Sequence, residues 1–313
     1  MNALQITSSR GEEILRAAEN WKAYRILDTS DGEKLEVWNG VTLIRPDPQV
    51  IWKTKKEESL WLRADAHYHR SASGGGKWEF HANLPEQWEL PYKELQFRIR
   101  PTGFKHTGLF PEQAVNWDFM DNLIRNADRP VSVLNLFAYT GGATLACANA
   151  GASVCHVDAS KGMVQWARDN ANLSGLQDKP IRWIVDDCEK FTLREIRRKR
   201  CYDAIIMDPP SYGRGPNGEV WKLENCIYDL VQNCVKVLSD NPLFFLINSY
   251  TTGLSPSVMG YILNSFLTKK YGGHVYFDEI GLPVEHAGMC LPCGATAVWC
   301  KDSAEELFYG THH

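Results

Sequence analysis

The stretch VSVLNLFAYTGGATLACANAG, residues 131–151, decides the fold of this chain. It begins with the apolar, β-branched run Val131–Leu134, which gives way to the turn Thr140-Gly141-Gly142. Small helix-forming residues follow, from Ala143 to Ala150. The pattern predicts a strand, a tight glycine turn and a helix, an arrangement in which a ligand can approach backbone N–H groups closely.

An acidic residue follows the next apolar run. The run Val154–Val157 ends at Asp158, about 17 residues after the glycine turn, where a carboxylate can accept hydrogen bonds from both hydroxyls of a ribose. The turn lacks the G-x-G-x-x-G pattern that seats a pyrophosphate on a helix end. A ribose-binding acid without a pyrophosphate site indicates a nucleoside cofactor that carries no phosphates.

Three further motifs follow in order: HVDAS (156–160), VDDCEKF (185–191) and IIMDPPSYGRG (205–215). Together with LNLFAYTGG (134–142), they resemble the class I methyltransferases, and specifically the branch of 23S rRNA large-subunit methyltransferases. The resemblance extends over roughly residues 95 to 300 and implies S-adenosylmethionine as the cofactor. The alternative is an α/β domain of this type that has lost its cofactor.

Composition predicts a soluble, cytoplasmic protein. The chain has 313 residues, enough for two domains, and is 44% hydrophobic and 23% charged. No run of about 18 apolar residues indicates a membrane span, and the first residues lack the apolar centre of a signal peptide. The 9 cysteines, an odd number scattered through predicted core elements, are typical of reduced thiols.

The net charge of −4 gives the whole chain no strong electrostatic attraction for nucleic acid, although a local basic surface remains possible. The densest basic run is 194–200, REIRRKR. We interpret it as the solvated end of a helix, where cations complement the helix dipole. The alternative is a contact with RNA phosphates.

Residues 1–100 are predicted to form a β-rich N-terminal domain. Turn residues such as Asn39-Gly40 separate short strands, which we expect at 36–38, 41–44, 49–52 and 95–100, after a short helix at 12–20. Tryptophan is frequent here: Trp21, Trp38, Trp52, Trp61, Trp78 and Trp88. We expect these rings to anchor a thin core, and the alternative is stacking on nucleobases.

Residues 101–313 are predicted to form the methyltransferase domain, a Rossmann-like α/β fold with a seven-stranded sheet. We expect strands at 131–136, 153–158, 181–185, 203–207, 242–248, 273–280 and 294–300. We expect helices at 112–126, 143–150, 161–174, 189–199, 222–239 and 256–269. The sequence Gly281-Leu282-Pro283 is expected to break the chain between the last two strands, which by resemblance form an antiparallel hairpin.

The resemblance implies a cofactor site at the carboxyl ends of the strands. Residues that would wrap the methionine moiety are Phe137, Ala138, Tyr139, Thr140, Gly141 and Gly142. The ribose would be held at Asp158, Ala159 and Ser160. Asp187 would accept from the adenine amino group, with Asp186 as the alternative, and Cys188 would offer its backbone N–H. Lys105 and Gln113 belong to a segment, 105–117, expected to close over the cofactor.

The catalytic candidates are Asp208, Pro209, Pro210 and Tyr212. The stretch resembles the [DN]PP[YF] motif of amino-group methyltransferases, although Ser211 separates the second proline from the tyrosine. A carboxylate and a backbone carbonyl can hold an amine while its lone pair faces the sulfonium, with the tyrosine stacked on a planar substrate. The leaving sulfonium drives the transfer, so positioning supplies most of the rate and no strong base is needed.

Cysteine placement bears on the atom that is methylated. Cytosine-C5 transfer requires a thiolate nucleophile. In the rRNA relatives this cysteine follows the fifth strand. At the corresponding place in this chain, residues 248–252 read NSYTT and include no cysteine. The sequence therefore predicts an RNA methyltransferase, acting on rRNA, with transfer to nitrogen favoured over cytosine C5. The alternative is N-methylation of a small molecule or a protein side chain.

A metal site is not expected. His286, Cys290, Cys293 and Cys300 include a C-x-x-C pair, which is a common zinc-binding arrangement. An extended last strand would, however, separate Cys293 from Cys300 by about 20 Å.

Overall fold

The computed structural model describes residues 15–71, 75–103, 105–214 and 220–310, apart from the side chain of Arg214. Packing divides the chain into two compact units. The first ends at Val115 and also contains Ile280–Cys293, and the second consists of Asn116–Glu279 and the chain from Gly294 onward. The packing boundary thus lies at residue 115, whereas the domain boundary at residue 100 stays a prediction.

The strands, in chain order, are β1 (Arg16–Ala17), β2 (Tyr24–Ser30), β3 (Glu33–Trp38), β4 (Val41–Pro46), β5 (Ala66–Arg70), β6 (Gly76–Phe80), β7 (Trp88–Tyr92), β8 (Leu95–Ile99), β9 (Ser132–Leu136), β10 (Ser153–Asp158), β11 (Ile181–Val185), β12 (Ala204–Met207), β13 (Tyr212–Arg214), β14 (Val220–Lys222), β15 (Phe244–Ser249), β16 (His274–Val284) and β17 (Met289–Cys300).

The helices are α1 (Glu58–Trp61), α2 (Ala114–Arg125), α3 (Gly142–Asn149), α4 (Lys161–Leu173), α5 (Cys188–Arg198), α6 (Leu223–Val235), α7 (Pro256–Leu263), α8 (Lys269–Tyr271) and α9 (Glu305–Tyr309). A 3₁₀ turn (Pro111–Gln113) precedes α2, and a π-helical segment (Asn264–Thr268) joins α7 to α8. None of the helices in the described ranges is long and apolar enough to cross a membrane.

The predicted Rossmann-like sheet has the strand order β11-β10-β9-β12-β15-β17-β16. It belongs to the second unit except for the end of β16, from Ile280, and the start of β17, up to Cys293. The first five strands are mutually parallel, and β17 runs antiparallel to β15. β12 and β15 are buried at every position, the pattern of central parallel strands covered by helices on both faces. The predicted fold class, including the antiparallel last strand, is confirmed.

Two elements predicted near the N-terminus are wrong. Of the helix expected at 12–20, residues 12–14 lie outside the described residues, and the remainder holds β1, which pairs with β16 instead of forming a helical turn. Residues 49–52 do not form a strand. The carbonyls of Val50 and Trp52 each accept one hydrogen bond from the turn between β2 and β3. These bonds attach the segment to that turn without the regular pairing of a β-strand.

The break expected at Gly281-Leu282-Pro283 is also wrong, because β16 continues through it to Val284. At Gly281 an added Cβ would lie 2.6 Å from the carbonyl oxygen of Leu291. The glycine therefore permits the close approach of a neighbouring backbone. In the sequence alone, a strand glycine used in this way looks like a turn residue.

The first unit contains the strand order β2-β3-β4-β5-β6 and a separate hairpin of β7 and β8. Most of its indole N–H groups donate to groups of the same unit: Trp21 to Pro111 O, Trp52 to Thr29 O, Trp61 to the Asp28 carboxylate, Trp78 to Thr102 O and Trp88 to Trp38 O. These bonds favour the anchoring role expected for the tryptophans.

A buried ionic network joins β2, β3 and β4. Glu36 is fully buried and accepts hydrogen bonds from Nε and Nη2 of Arg45, at 2.6 and 3.0 Å, and from the Tyr24 hydroxyl at 2.6 Å. Lys34 Nζ lies 3.4 Å from the same carboxylate and 3.1 Å from Asp47. Burial alone would raise the pKa of Glu36, but Arg45 and Lys34 outweigh it and lower the pKa to about 2.

We expect Glu36→Gln to lower the free energy of unfolding by about 3 kcal/mol or more, because it leaves buried cations without their counter-charge. Since folding lowers the pKa of Glu36, its contribution is fully present above about pH 4.5 and is lost as the pH falls toward 2. The wild-type free energy therefore falls by up to about 1.4 kcal/mol per pH unit from this group in that range.

Denaturant titrations of wild type and E36Q at several pH values test this expectation. Glu79→Gln, at an exposed partner of His69, is the matched control and should change little. A difference between wild type and E36Q that stays constant from pH 5 to pH 3 would contradict it.

Candidate functional site

The carboxyl ends of four parallel strands define one edge of the sheet in the second unit. Leu136, the last residue of β9, is in register with Val157 of β10 and with Met207 of β12. The chain proceeds outward from β9 to β10 and β11, then returns to β12 on the other side of β9. In open α/β sheets, ligands bind at such a switch in strand order.

The segment after β9, residues 137–142, has an unusual backbone and is called here the glycine loop. Phe137 and Tyr139 have φ values of 55° and 49°, in the left-handed region that residues with a side chain rarely occupy. Gly141 has φ 92° and serves as the N-cap of α3. Strained backbone of this kind persists where surrounding contacts fix it, and it is concentrated at ligand-binding loops.

Contacts from three other elements fix the glycine loop. The N–H of Phe137 donates to Sγ of Cys188 at 3.2 Å, and the N–H of Ala138 donates to the Val157 carbonyl at 3.1 Å. Nδ2 of Asn170, a fully buried residue of α4, donates to the Thr140 carbonyl at 2.9 Å. These three hydrogen bonds hold the glycine loop in its strained shape.

Packing leaves no room for side chains at the two glycines. A Cβ at Gly142 would lie 2.6 Å from the Trp117 ring, and one at Gly141 would lie 3.0 Å from the Ala167 methyl. Both distances are shorter than ordinary van der Waals contact. The two glycines are thus required by close packing as well as by the backbone conformation of Gly141.

Asp158 ends β10 beside the glycine loop. One carboxylate oxygen accepts the N–H of Tyr139 at 2.9 Å, and the other accepts the N–H of Ser160 at 2.8 Å. Burial raises the pKa of Asp158, and these two N–H groups oppose that rise. An ionised carboxylate has about four acceptor sites, so two remain for hydroxyl groups of a ligand.

A buried polar chain lies beneath the loop. Asn135 Nδ2 donates to Thr144 Oγ1 at 2.9 Å, and Thr144 Oγ1 is hydrogen-bonded to Nδ1 of His156 at the same distance. All three residues are buried, and burial lowers the pKa of His156 to about 3, so its ring is neutral near pH 7. The chain joins β9 and β10 to the first turn of α3.

The acidic pair after β11 is occupied by structural contacts. Asp187 is the N-cap of α5, and its Oδ1 accepts the N–H of Lys190 at 2.8 Å. Asp186 forms an ion pair with Arg194 and accepts the N–H of Asp187. Cys188 is buried, and burial raises the pKa of its thiol well above the usual range. The adenine contacts expected from Asp187 and Cys188 stay predictions.

The segment after β12, residues 208–211, is called here the acceptor loop. Pro209 is buried, and the carbonyl of Pro210 accepts the indole N–H of Trp221 at 2.7 Å. Ser211 Oγ accepts from the Thr251 hydroxyl at 2.8 Å. Tyr212 begins β13 and is 52% exposed, so its ring is accessible.

Lys105 and Gln113 belong to the first unit, Lys105 after β8 and Gln113 in the 3₁₀ turn before α2. Burial lowers the pKa of Lys105, whose carbonyl accepts from Arg45. The expected role of Lys105 and Gln113, in a segment that closes over the cofactor, stays a prediction. Across the described ranges, no group of three or more His, Cys, Asp or Glu residues is arranged to hold a metal ion.

The basic run at the end of α5 is partly neutralised within its own unit. Arg194 pairs with Asp186, and Arg198 lies 3.0 Å from Glu195. The helix ends at Arg198, and Lys199 then adopts a left-handed conformation with φ 54°. Cations at this position complement the helix dipole, in agreement with the interpretation as a helix end.

Comparison with known proteins identifies the family. Residues 49–227 match the sequence profile of the family described as S-adenosylmethionine-dependent methyltransferase. The crystal structure of the SAM-dependent methyltransferase from Agrobacterium tumefaciens is 35% identical, with a TM-score of 0.85 over 92% of this chain and 96% of that chain.

The chain belongs to the S-adenosylmethionine-dependent methyltransferases.

Two relatives match a narrower part of the chain. The methyltransferase is 34% identical over 193 residues to the ribosomal RNA large subunit methyltransferase K/L of Pseudoalteromonas atlantica, and 34% identical over 146 residues to that of Shewanella baltica. These matches cover 61% and 46% of this chain but only 26% and 20% of those proteins. The structure of SMU.776 in complex with SAH shares the fold, with 18% identity and a TM-score of 0.68 over 90% of this chain and 76% of that chain.

The residues present fit S-adenosylmethionine, the cofactor of this family. Asp158 has acceptor capacity for ribose hydroxyls, and the glycine loop is already fixed in shape beside it. When bound, the cofactor supplies a methyl group on a sulfonium. The methyltransferase must hold the acceptor atom in line with that methyl group and keep its lone pair free.

Several residues that shape the site were not predicted from the sequence. They are Thr144, His156, Asn170, Thr251 and Trp221. A polar residue in a buried strand, such as His156 within SVCHVD, is the one sequence feature that points to such a network, because a buried polar group must be hydrogen-bonded. The other contacts join residues far apart in sequence.

We expect Asp158→Ala to weaken the binding of S-adenosylhomocysteine by about 1.5–3 kcal/mol, through the loss of charge-assisted hydrogen bonds to the ribose. Asp158→Asn retains one acceptor oxygen and should lose less. Titration calorimetry measures both affinities, with Asp178→Ala, at an exposed acid before β11, as the control. An affinity unchanged in D158A would exclude the ribose assignment.

Proposed function

We propose that this methyltransferase transfers the methyl group of S-adenosylmethionine to a nitrogen atom of a base in RNA, with rRNA as the substrate class. The observation that carries the proposal is the acceptor loop, which follows β12 next to the glycine loop after β9. It offers a carboxylate and backbone carbonyls beside the cofactor loop. Amine N–H groups can donate to these acceptors while the nitrogen lone pair faces the methyl group.

Asp208 is the proposed acceptor for the substrate amino group. Its side chain is half-buried at the end of β12, and Pro209 directly after it is buried, which limits the freedom of the loop. In this proposal Asp208 orients the amine and also stabilises the positive charge that develops on nitrogen during transfer. Electrostatic stabilisation by a preorganised group of this kind is a large contribution to catalysis.

The cysteine positions favour nitrogen over cytosine C5. The acceptor loop and residues 248–252, at the end of β15 and directly after it, contain no cysteine. Cys188 lies under the glycine loop, but its thiol is buried and contacts the Phe137 N–H and the Val157 carbonyl. Burial raises its pKa, so it remains a thiol near pH 7 and a poor nucleophile.

The RNA substrate is proposed from the relatives, which are named as ribosomal RNA large subunit methyltransferases. Because this chain spans about a fifth to a quarter of their length, their substrate is an inference for this chain. Mass spectrometry of nucleosides from rRNA, with and without the gene, tests it. A methylated base that disappears without the gene is the expected result, and identical profiles would contradict the proposal.

We expect Asp208→Ala to reduce kcat by about 100-fold or more while changing the affinity for S-adenosylhomocysteine little, because Asp208 is assigned to the substrate. Asp208→Asn keeps an acceptor oxygen and the shape of the side chain but loses the negative charge, so its kcat should lie between those of D208A and wild type. Methyl transfer to rRNA from cells lacking the gene, measured with labelled S-adenosylmethionine, gives kcat. Equal activity of D208A and wild type would exclude the assignment.

A trapping experiment separates transfer to nitrogen from transfer to cytosine C5. Incubation with RNA that contains 5-fluorocytosine should give no covalent complex with the protein, because C5 transfer alone requires an enzyme thiolate added to the ring. Denaturing electrophoresis detects such a complex. A covalent adduct that is lost when one cysteine is replaced by serine would overturn the nitrogen assignment.

A further inference from the structure

The hairpin formed by β13 and β14 directs two aromatic side chains to opposite faces. In its antiparallel register Tyr212 lies opposite Lys222, and Gly213 lies opposite Trp221. Side chains alternate between the faces of a strand, and directly paired residues share a face. Tyr212 and Trp221 therefore point to opposite sides of the hairpin. Gly213 places no side chain opposite Trp221, although a Cβ there would make only ordinary van der Waals contact with the Cβ of Trp221, at 3.6 Å.

Trp221 contacts both loops at the switch in strand order. Its indole N–H donates to the Pro210 carbonyl in the acceptor loop at 2.7 Å. Its ring centroid lies 5.8 Å from that of Phe137, the first residue of the glycine loop, and both rings pack against the hydrophobic core of the unit. One side chain thus joins the loop assigned to the substrate to the loop assigned to the cofactor.

The inserted Ser211 makes this arrangement possible. Its hydroxyl accepts from Thr251, and its carbonyl accepts the N–H of Leu223 at 3.1 Å, immediately after β14. These bonds fix both ends of the hairpin against the end of β12. Ser211 places the tyrosine one residue later than in the [DN]PP[YF] pattern, and in this hairpin the tyrosine is exposed while Trp221 contacts the two loops.

We propose that Trp221 is a positioning residue for methyl transfer, which sets the distance between the acceptor loop and the glycine loop. The inference rests on the proposed function of the acceptor loop. In-line transfer depends on the alignment of the acceptor nitrogen with the methyl group, and a misplacement of about 1 Å can cost about 100-fold in rate. Tyr212, on the exposed face, is left to contact the substrate itself.

The test separates kcat from KM. Trp221→Phe keeps an aromatic ring against Phe137 but removes the N–H donor, and we expect kcat to fall about three- to tenfold with KM for RNA unchanged. Trp221→Ala should lower kcat further. Tyr212→Ala should instead raise KM about fivefold or more, through lost contact with the substrate, with little change in kcat.

A matched control and a second readout complete the experiment. Trp88→Phe removes a similar bond, from its indole N–H to the Trp38 carbonyl at 2.9 Å, and should keep the wild-type kcat. Hydrogen exchange in W221F should be faster in peptides covering the glycine loop and the acceptor loop, with both loops unchanged in W88F. This readout needs no substrate, so it decides the inference even if the wild type methylates no RNA.

Any one of three results would overturn the inference. The first is a rate of hydrogen exchange in the glycine loop of W221F that equals the wild-type rate. The second is a wild-type enzyme that methylates RNA while W221F matches its kcat within twofold. A loss of kcat of equal size in W88F would likewise show a general effect of lost stability instead of a positioning role.

Discussion

The contact between Asp158 and the backbone of the glycine loop is the constraint on which the site depends. By accepting the N–H groups of Tyr139 and Ser160, one carboxylate holds the loop after β9 and the chain that leads into α4. The same contacts compensate for part of the cost of burying a charged group, because hydrogen bonds to the ionised form favour it. A ribose that binds here therefore meets an acceptor that is already oriented.

The positive φ values of Phe137 and Tyr139 follow from that constraint. Each costs free energy, of order 1 kcal/mol, that the loop alone cannot supply. The bond from the Phe137 N–H to Cys188 Sγ and the bond from Asn170 to the Thr140 carbonyl offset this cost, together with close packing at the two glycines. The site is thus held by residues whose own side chains need not touch a ligand, and preorganisation of this kind lowers the entropy cost of binding.

Local patterns predicted the sheet and the position of Asp158, because each depends on a short run of residues. An apolar run followed by glycine or acid marks a strand end wherever it occurs, so the edge formed by β9, β10 and β12 could be read from the sequence.

The errors arose where one residue type has two uses. Gly281 suggested a turn, but it permits the close approach of the Leu291 backbone. Val50 and Trp52 suggested a strand, but the carbonyl of each accepts one hydrogen bond from the turn between β2 and β3. The hairpin of β13 and β14 was missed because its register appears only in three dimensions.

The arrangement of the two loops explains how one rigid sheet can align a transfer reaction. β9 and β12 are adjacent, paired in parallel and buried except at Ser132, so the carboxyl ends of these strands are fixed relative to each other. The freedom that remains lies in the loops, and side-chain bonds remove it: Asn170 and Asp158 on the cofactor side, Thr251 on the acceptor side. In the proposed transfer to nitrogen no strong base is required, so the rate would depend on how little these loops move. A bond between neighbouring loops, such as that from Trp221 to the Pro210 carbonyl, would then act through alignment and not through contact with the reactants.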